Sequence, residues 1–340
     1  MTHLTSQLQQ WNQRRSEARN HYRRGQFKEY LLLSKENLRL AREIQDFSKE
    51  GNVLNDIGLA YISCQQPQKA LKFFHQALFI AEKLENQQAI ATARSNLGFT
   101  YNHLGQLSRS LEHLNEAISI FRELKDTSGE LSALNNLALV YTKLEEPKRA
   151  LLLHHQILDM RRMLGDFSGE ATTLNSIGFT YNALGQPEQA LAFFQEALTI
   201  QRVVKNVTGE AITMNNIASV YCDLGEPHQA LLLYHQVLLN RRATGDRAGE
   251  ATTLHNIGFT YNSLDNHVEA LEFYNQALVI YRELGDRPGE VMTLLNMGTV
   301  YAATDLRSLA RALYEEAQGV VKQIDYDPLA QKVQKFIDSL

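Results

Sequence analysis

The sequence predicts an all-α protein, a right-handed superhelical solenoid of antiparallel helix pairs. Three observations carry this expectation: a forty-residue period without a gap, apolar residues at helical spacing inside each period, and helix-stop and helix-start residues at fixed places in it. Segments beginning at Gly51, Ala91, Leu131, Ala171, Ala211, Ala251 and Val291 bring Tyr61, Tyr101, Tyr141, Tyr181, Tyr221, Tyr261 and Tyr301 into one column. Units of this kind bury their apolar faces against their neighbours and leave an extended surface instead of one central pocket. Holding a partner is therefore the expected kind of function.

Residues 1–50 read as a degenerate N-terminal repeat and cap. Ala18, Gly25, Leu38 and Asp46 keep the phase, while His21 replaces the tyrosine and Ser34 the aromatic of helix B. Trp11, the single tryptophan, is expected to pack at the entrance of this unit. Residues 51–330 form seven repeats, and the fourth shows their logic. Its helix A is expected from Ala171 to about Leu184, and its helix B from Pro187 to about Lys205. Gly185 suits the left-handed turn after helix A, and Pro187 suits a first helical turn, whose amide has no partner to lose. Pro67, Pro147 and Pro227 repeat that position. At the other junction Gly165-Asp166, Gly245-Asp246 and Gly285-Asp286 join a helix stop to an N-cap.

On helix A, Leu174, Ile177, Gly178 and Tyr181 share one face, and Thr172, Asn175, Ser176, Phe179 and Asn182 share the other. Helix B contributes Ala190, Leu191, Phe194, Ala197 and Leu198, small residues allowing close approach and large ones filling the gaps. From Asp327 a closing helix is expected, with an apolar stripe at Leu329, Val333, Ile337 and Leu340; residues 331–340 are its remainder.

Composition narrows the function. A net charge of -4 with 21% charged residues and no long basic run argues against a nucleic-acid partner. No run of apolar residues is long enough to insert in a membrane, and the opening residues are polar, so the cytoplasm is the expected compartment. Cys64 and Cys222 occupy non-equivalent positions in distant repeats, which predicts free thiols. His75, His155 and His235 recur on separate helices and cannot converge on one metal ion. No phosphate loop, metal motif or nucleophile-base pair stands out, so neither enzyme activity nor a cofactor is expected.

The pattern Leu-x-x-Ile-Gly-x-x-Tyr, then Gly, then Ala-x-x-x-Phe-x-x-Ala-Leu resembles the tetratricopeptide repeat family over roughly residues 14 to 330. The long period, Asn135-Asn136 and the Gly245–Glu250 turn resemble the subclass of spindle-orientation adaptors, kinesin light chains and bacterial regulatory repeat proteins. The resemblance implies a protein-protein interaction adaptor that binds an extended peptide or partner segment in a concave groove. Self-assembly into a homodimeric or larger structural scaffold is the alternative.

The expected ligand contacts are carboxamides, which can donate to and accept from a peptide backbone without reading its side chains. They form the column Asn96, Asn136, Asn216, Asn256 and Asn296, with Ser176 in its middle, and the resemblance implies that such a column holds peptide. Asn135, Asn175, Asn215 and His255 lie beside it. Phe99, Phe179 and Phe259 offer apolar contact, accompanied by Asn102, Asn182 and Asn262. The same asparagines could instead bond to adjacent helices and order the stack.

The phenylalanines recur every second repeat because the duplicated unit is eighty residues long. Residues 171–210 match 251–290 at 20 of 40 positions, but match the adjacent 211–250 at 15. Inheritance alone would produce this rhythm, as would selection on the groove. A clamp for terminal carboxylates is not expected, since Lys143 faces Asp223 at the equivalent place two repeats on. Arg122, Arg162, Arg202, Arg242 and Arg282 are expected to favour the end of helix B and share charge with the acidic or amide residue four positions later.

Overall fold

A computed structural model describes residues 3–323 and 327–338, and among these every regular element is an α-helix. The helices are α1 (His3–Arg23), α2 (Phe27–Glu43), α3 (Phe47–Ser63), α4 (Pro67–Lys83), α5 (Gln87–His103), α6 (Leu107–Glu123), α7 (Thr127–Lys143) and α8 (Pro147–Leu164). There follow α9 (Phe167–Ala183), α10 (Pro187–Val203), α11 (Val207–Asp223), α12 (Pro227–Thr244), α13 (Arg247–Ser263), α14 (His267–Leu284), α15 (Arg287–Ala303), α16 (Arg307–Val321) and α17 (Asp327–Asp338). Odd-numbered helices from α3 to α15 are the A helices and even-numbered ones the B helices of an all-α solenoid of antiparallel pairs. The chain divides into two compact units, Met1–Gly165 and Asp166–Leu340.

The forty-residue period is built from two halves. A residue with positive φ stands every twenty positions from Gly25 to Asp305, marking each helix end. Gly185 (φ 71) is one of the glycines there, but Glu145 (φ 57) and Lys205 (φ 55) occupy equivalent turns at a steric cost glycine avoids. The next helix A then starts earlier than the apolar pattern suggests. In the fourth repeat it begins at Phe167 rather than Ala171, because Asp166 caps it by accepting from the Gly169 amide at 2.9 Å. Helix B ends at Val203, two residues before the expected Lys205, whose left-handed φ closes it.

Each unit has its own core. In the first, Trp11, Leu54, Ile57, Phe74 and Leu97 lie together, and Leu114, Phe121, Leu134 and Ile157 form a second cluster. Trp11 is 4% exposed and is flanked by the cations of Arg15 and Lys49, so the first unit is a complete helix pair, α1 with α2. In the second unit Phe194 and Ile217, then Tyr234, Leu254 and Ile257, then Tyr274, Leu294 and Tyr314 carry the interior. Leu329 and Val333 of α17 join the last of these clusters and close it, as expected of a cap; Leu340 lies outside the described residues.

Close approach of A to B depends on glycine. A methyl group on Gly178 would lie 2.7 Å from the Phe194 ring, and one on Gly258 would lie 2.8 Å from Tyr274. Successive A helices also touch: α3 with α5 and α5 with α7 in the first unit, and α9, α11, α13 and α15 in sequence in the second. No two successive B helices within either unit approach comparably. The A helices therefore lie on the inner, shorter arc of each unit, and their exposed residues line its concave side.

The arginine column pairs differently from the sequence expectation. Arg122, Arg202, Arg242 and Arg282 donate through Nε to Glu130, Glu210, Glu250 and Glu290, eight residues on, at 2.6, 2.8, 2.7 and 2.9 Å. The intervening Asp126, Asn206, Asp246 and Asp286 instead cap the next helix A. These pairs tie each B helix to the following A helix. Burial raises the Glu290 carboxyl, but hydrogen bonds from Arg282 and Arg287 more than offset this and leave it below its usual range.

Candidate functional site

The concave face of the second unit is built from helical spacing. Asn175, Phe179 and Asn182 fall four and three residues apart on α9, hence on one face. Both amides of that face reach α11: Asn175 Nδ2 donates to Thr213 Oγ1 at 2.8 Å, and Asn182 Nδ2 donates to Asp223 Oδ2 at 2.7 Å. Phe179 stands between them with 61% of its surface exposed. Ser176 turns its hydroxyl back to the Thr172 carbonyl at 3.2 Å.

Two repeats on, α13 offers the same face through His255, Asn256, Phe259 and Asn262. Phe259 is 53% exposed, and Asn262 Oδ1 lies 3.2 Å from His267 Nδ1. Asn256 reaches back to α11, donating to Asn215 Oδ1 at 3.4 Å. His255 is held by α15. Thr293 donates to the Gly289 carbonyl at 2.8 Å, so its oxygen accepts from His255 Nδ1–H at 2.9 Å, and Asn296 donates to His255 Nε2 at 3.1 Å. This network defines a neutral imidazole, and burial lowers its pKa to about 4.

In the first unit Asn96 donates to Asn55 Oδ1 at 3.3 Å and lines a hollow of 260 Å³ with Thr92, Ser95 and Ser132. Phe99 is half-buried against His103, their ring centres 4.4 Å apart. Asn102 departs from the expectation of a displayed amide. It is 4% exposed, and Lys143 lies over it, donating from Nζ to its backbone oxygen at 2.9 Å. The aliphatic stem of a lysine that reaches across to the preceding helix covers what its equivalents Asn182 and Asn262 leave open.

The asparagine column thus divides into two groups. Asn96, Asn256 and Asn296 are engaged with the preceding A helix. Asn136 and Asn216 are half-buried at the same register and have no side-chain hydrogen bond among the described residues. The difference follows from the neighbour: the residue forty-one positions earlier is Asn55, Asn215 or His255 in the engaged cases, but Ser95 or Asn175 otherwise. Ser95 is too short to meet the amide, and Asn175 is turned toward Thr213.

One feature of the first unit escaped the sequence reading, an apolar crevice of about 740 Å³ away from the concave face. Phe47, Leu54, Phe79, Ile80 and Leu84 line it, with Lys83 and Arg42 at its edge. Its signal was present in the repeat columns, where Phe79 replaces Ser119, Asp159 and Thr199. Among the described residues no group of three or more His, Cys, Asp or Glu is placed to hold a metal ion, and no helix is long and apolar enough to cross a membrane. Cys64 and Cys222 are free.

Paired antiparallel helices stacked in register, with a displayed inner face, define a helical-repeat scaffold, a class that generally serves protein-protein interaction. The tetratricopeptide repeat model matches residues 49–123, 89–163, 129–202, 169–243, 209–283 and 249–323, and the chain belongs to the tetratricopeptide repeat family. Its fold is similar to the apo form of the quorum sensor NprR from B. thuringiensis, with TM-score 0.72 and 16% identity over 91% of this chain and 86% of that one. It is also similar to a Rap protein complexed with competence and sporulation factor, with TM-score 0.60 and 15% identity over 95% and 98%. Kinesin light chain TPR-like repeats from Podosopora anserina superpose with TM-score 0.51 and 17% identity over 61% and 99%. No curated protein sequence matches the chain significantly.

Proposed function

We propose that this chain is a non-enzymatic adaptor that binds an extended peptide or partner segment along the concave side of its A helices. The observation that carries the reading is the pair of unengaged carboxamides, Asn136 and Asn216, at the register where their equivalents bond to protein. Half-buried amides without partners are suited to complete their bonding with a peptide backbone. Phe179, Phe259 and Leu139 add exposed apolar surface on the same face. Structural likeness to a quorum sensor, and to a Rap protein held with competence and sporulation factor, supports a regulatory partner segment as ligand. Capture of partners from lysate followed by crosslink mapping tests this. Crosslinks on the A helices are expected, and crosslinks confined to B helices would count against it.

A second reading is self-assembly. Leu152 and Leu232, equivalent residues of α8 and α12, are 72% and 74% exposed and give the outer surface apolar contacts that another copy could cover. Light scattering over a wide concentration range separates the two. A strictly monomeric chain removes this reading, and a dimer with occluded A helices removes the first.

A further inference from the structure

The second unit carries a finer pattern than a general peptide groove, and it bears on which segments would fit. Phe179 of α9 and Phe259 of α13 are exposed on the concave face, while α11 between them has Ser219 at the equivalent position. Two aromatic rings thus flank a low saddle. From Asn175, Asn215 and His255 to the ends of their helices, the only ionised side chain is Asp223, since His255 is held neutral. Asn182 fixes Asp223 through Oδ2 at 2.7 Å, leaving Oδ1 without a partner among the described residues. A carboxylate oriented by an amide and exposed at the mouth of an apolar saddle is complementary to a cation.

Resting on the peptide-groove reading, we propose that this saddle selects an extended segment with two large apolar side chains, one against each phenylalanine, and a lysine or arginine between them for Asp223. The spacing follows from helix packing. Neighbouring helices at contact lie about 8–10 Å apart, so α9 and α13 are separated by roughly 16–20 Å across α11. An extended chain advances about 3.3 Å per residue, so this span corresponds to about five or six residues. Alternate side chains point to opposite faces, so two anchors that both face the protein must be an even number apart, which selects about six. The basic residue occupies one of the inward positions between them.

The test is selection from a displayed library of random peptides on the full chain, with synthetic copies of the enriched sequences titrated by fluorescence anisotropy. The expected result is a shared pair of large apolar residues at that spacing with Lys or Arg between them. Phe179→Ala combined with Phe259→Ala should weaken these peptides by at least roughly tenfold, and Asp223→Lys should turn the intervening preference to Asp or Glu. All three positions are exposed, and thermal unfolding of the variants verifies the fold. Enriched peptides with no fixed apolar spacing, or a charge preference unmoved by Asp223→Lys, would overturn the selectivity while leaving groove binding standing. Absence of any peptide sensitive to A-helix substitutions would overturn both.

Discussion

Asn296 donates to Nε2 of His255 at 3.1 Å, while His255 Nδ1 meets Thr293 at 2.9 Å, so one imidazole bridges two positions of the next A helix. A histidine in this setting orders the stack, and it does so only while neutral. Burial holds its folded pKa at about 4, below the ordinary value of 6.5. The unfolded chain therefore takes up the proton first. Its contribution to stability is complete above about pH 6.5 and is lost as the pH falls toward 4, amounting to about 3 kcal/mol at most. His154, also lowered to about 4 by burial, acts in the same direction. Chemical denaturation across this window should show stability falling with acidity, and His255→Gln should flatten the fall. An unchanged slope in that variant would remove His255 as the source.

Gly178 faces the Phe194 ring so closely that an added methyl would lie 2.7 Å from it. Gly178→Ala should destabilise the chain by about 1–3 kcal/mol, despite the better helix propensity of alanine. Phe194→Leu in the same chain should recover part of this loss, because a smaller side chain makes room. Thermal unfolding of the single and double variants measures the coupling, and simple additivity would contradict the packing account.

Glu145 adopts φ 57 in a turn where Gly105, Gly185 and Gly225 stand in other repeats. Glu145→Gly should raise stability by up to about 1 kcal/mol, the relief of left-handed strain exceeding the entropy that glycine adds to the unfolded chain. A lower melting temperature in Glu145→Gly would show that this side chain makes contributions the turn geometry does not reveal.

The period, the paired helices, the proline starts and the closing helix were legible in the sequence because each is a local pattern repeated many times. Helix A's true start was harder to see, since the turn between Asp166 and Ala171 belongs to the helix without contributing to its apolar stripe. The Arg282–Glu290 pairing was obscured by Asp286, nearer in sequence but occupied as a cap. Within the site, sequence assigned the Asn column to one face but could not sort its members. Whether an asparagine is engaged depends on the residue forty-one positions earlier and on that residue's rotamer, as Asn175 shows by bonding to Thr213. Asn102 was misjudged for a related reason: Lys143 of the next repeat covers it.

The division of the asparagine column gives the most direct test of peptide binding on the concave face. Asn136→Ala with Asn216→Ala should leave the melting temperature nearly unchanged, because neither amide bonds to protein. Asn256→Ala with Asn296→Ala should lower it, because each removes a bond to a neighbouring helix. Calorimetric titration of the captured partner segment into the first variant decides the matter. The predicted result is a weakening of about 1–3 kcal/mol for the two lost contacts, at about 0.5–1.5 kcal/mol each. Full affinity in the Asn136→Ala, Asn216→Ala chain would contradict the account.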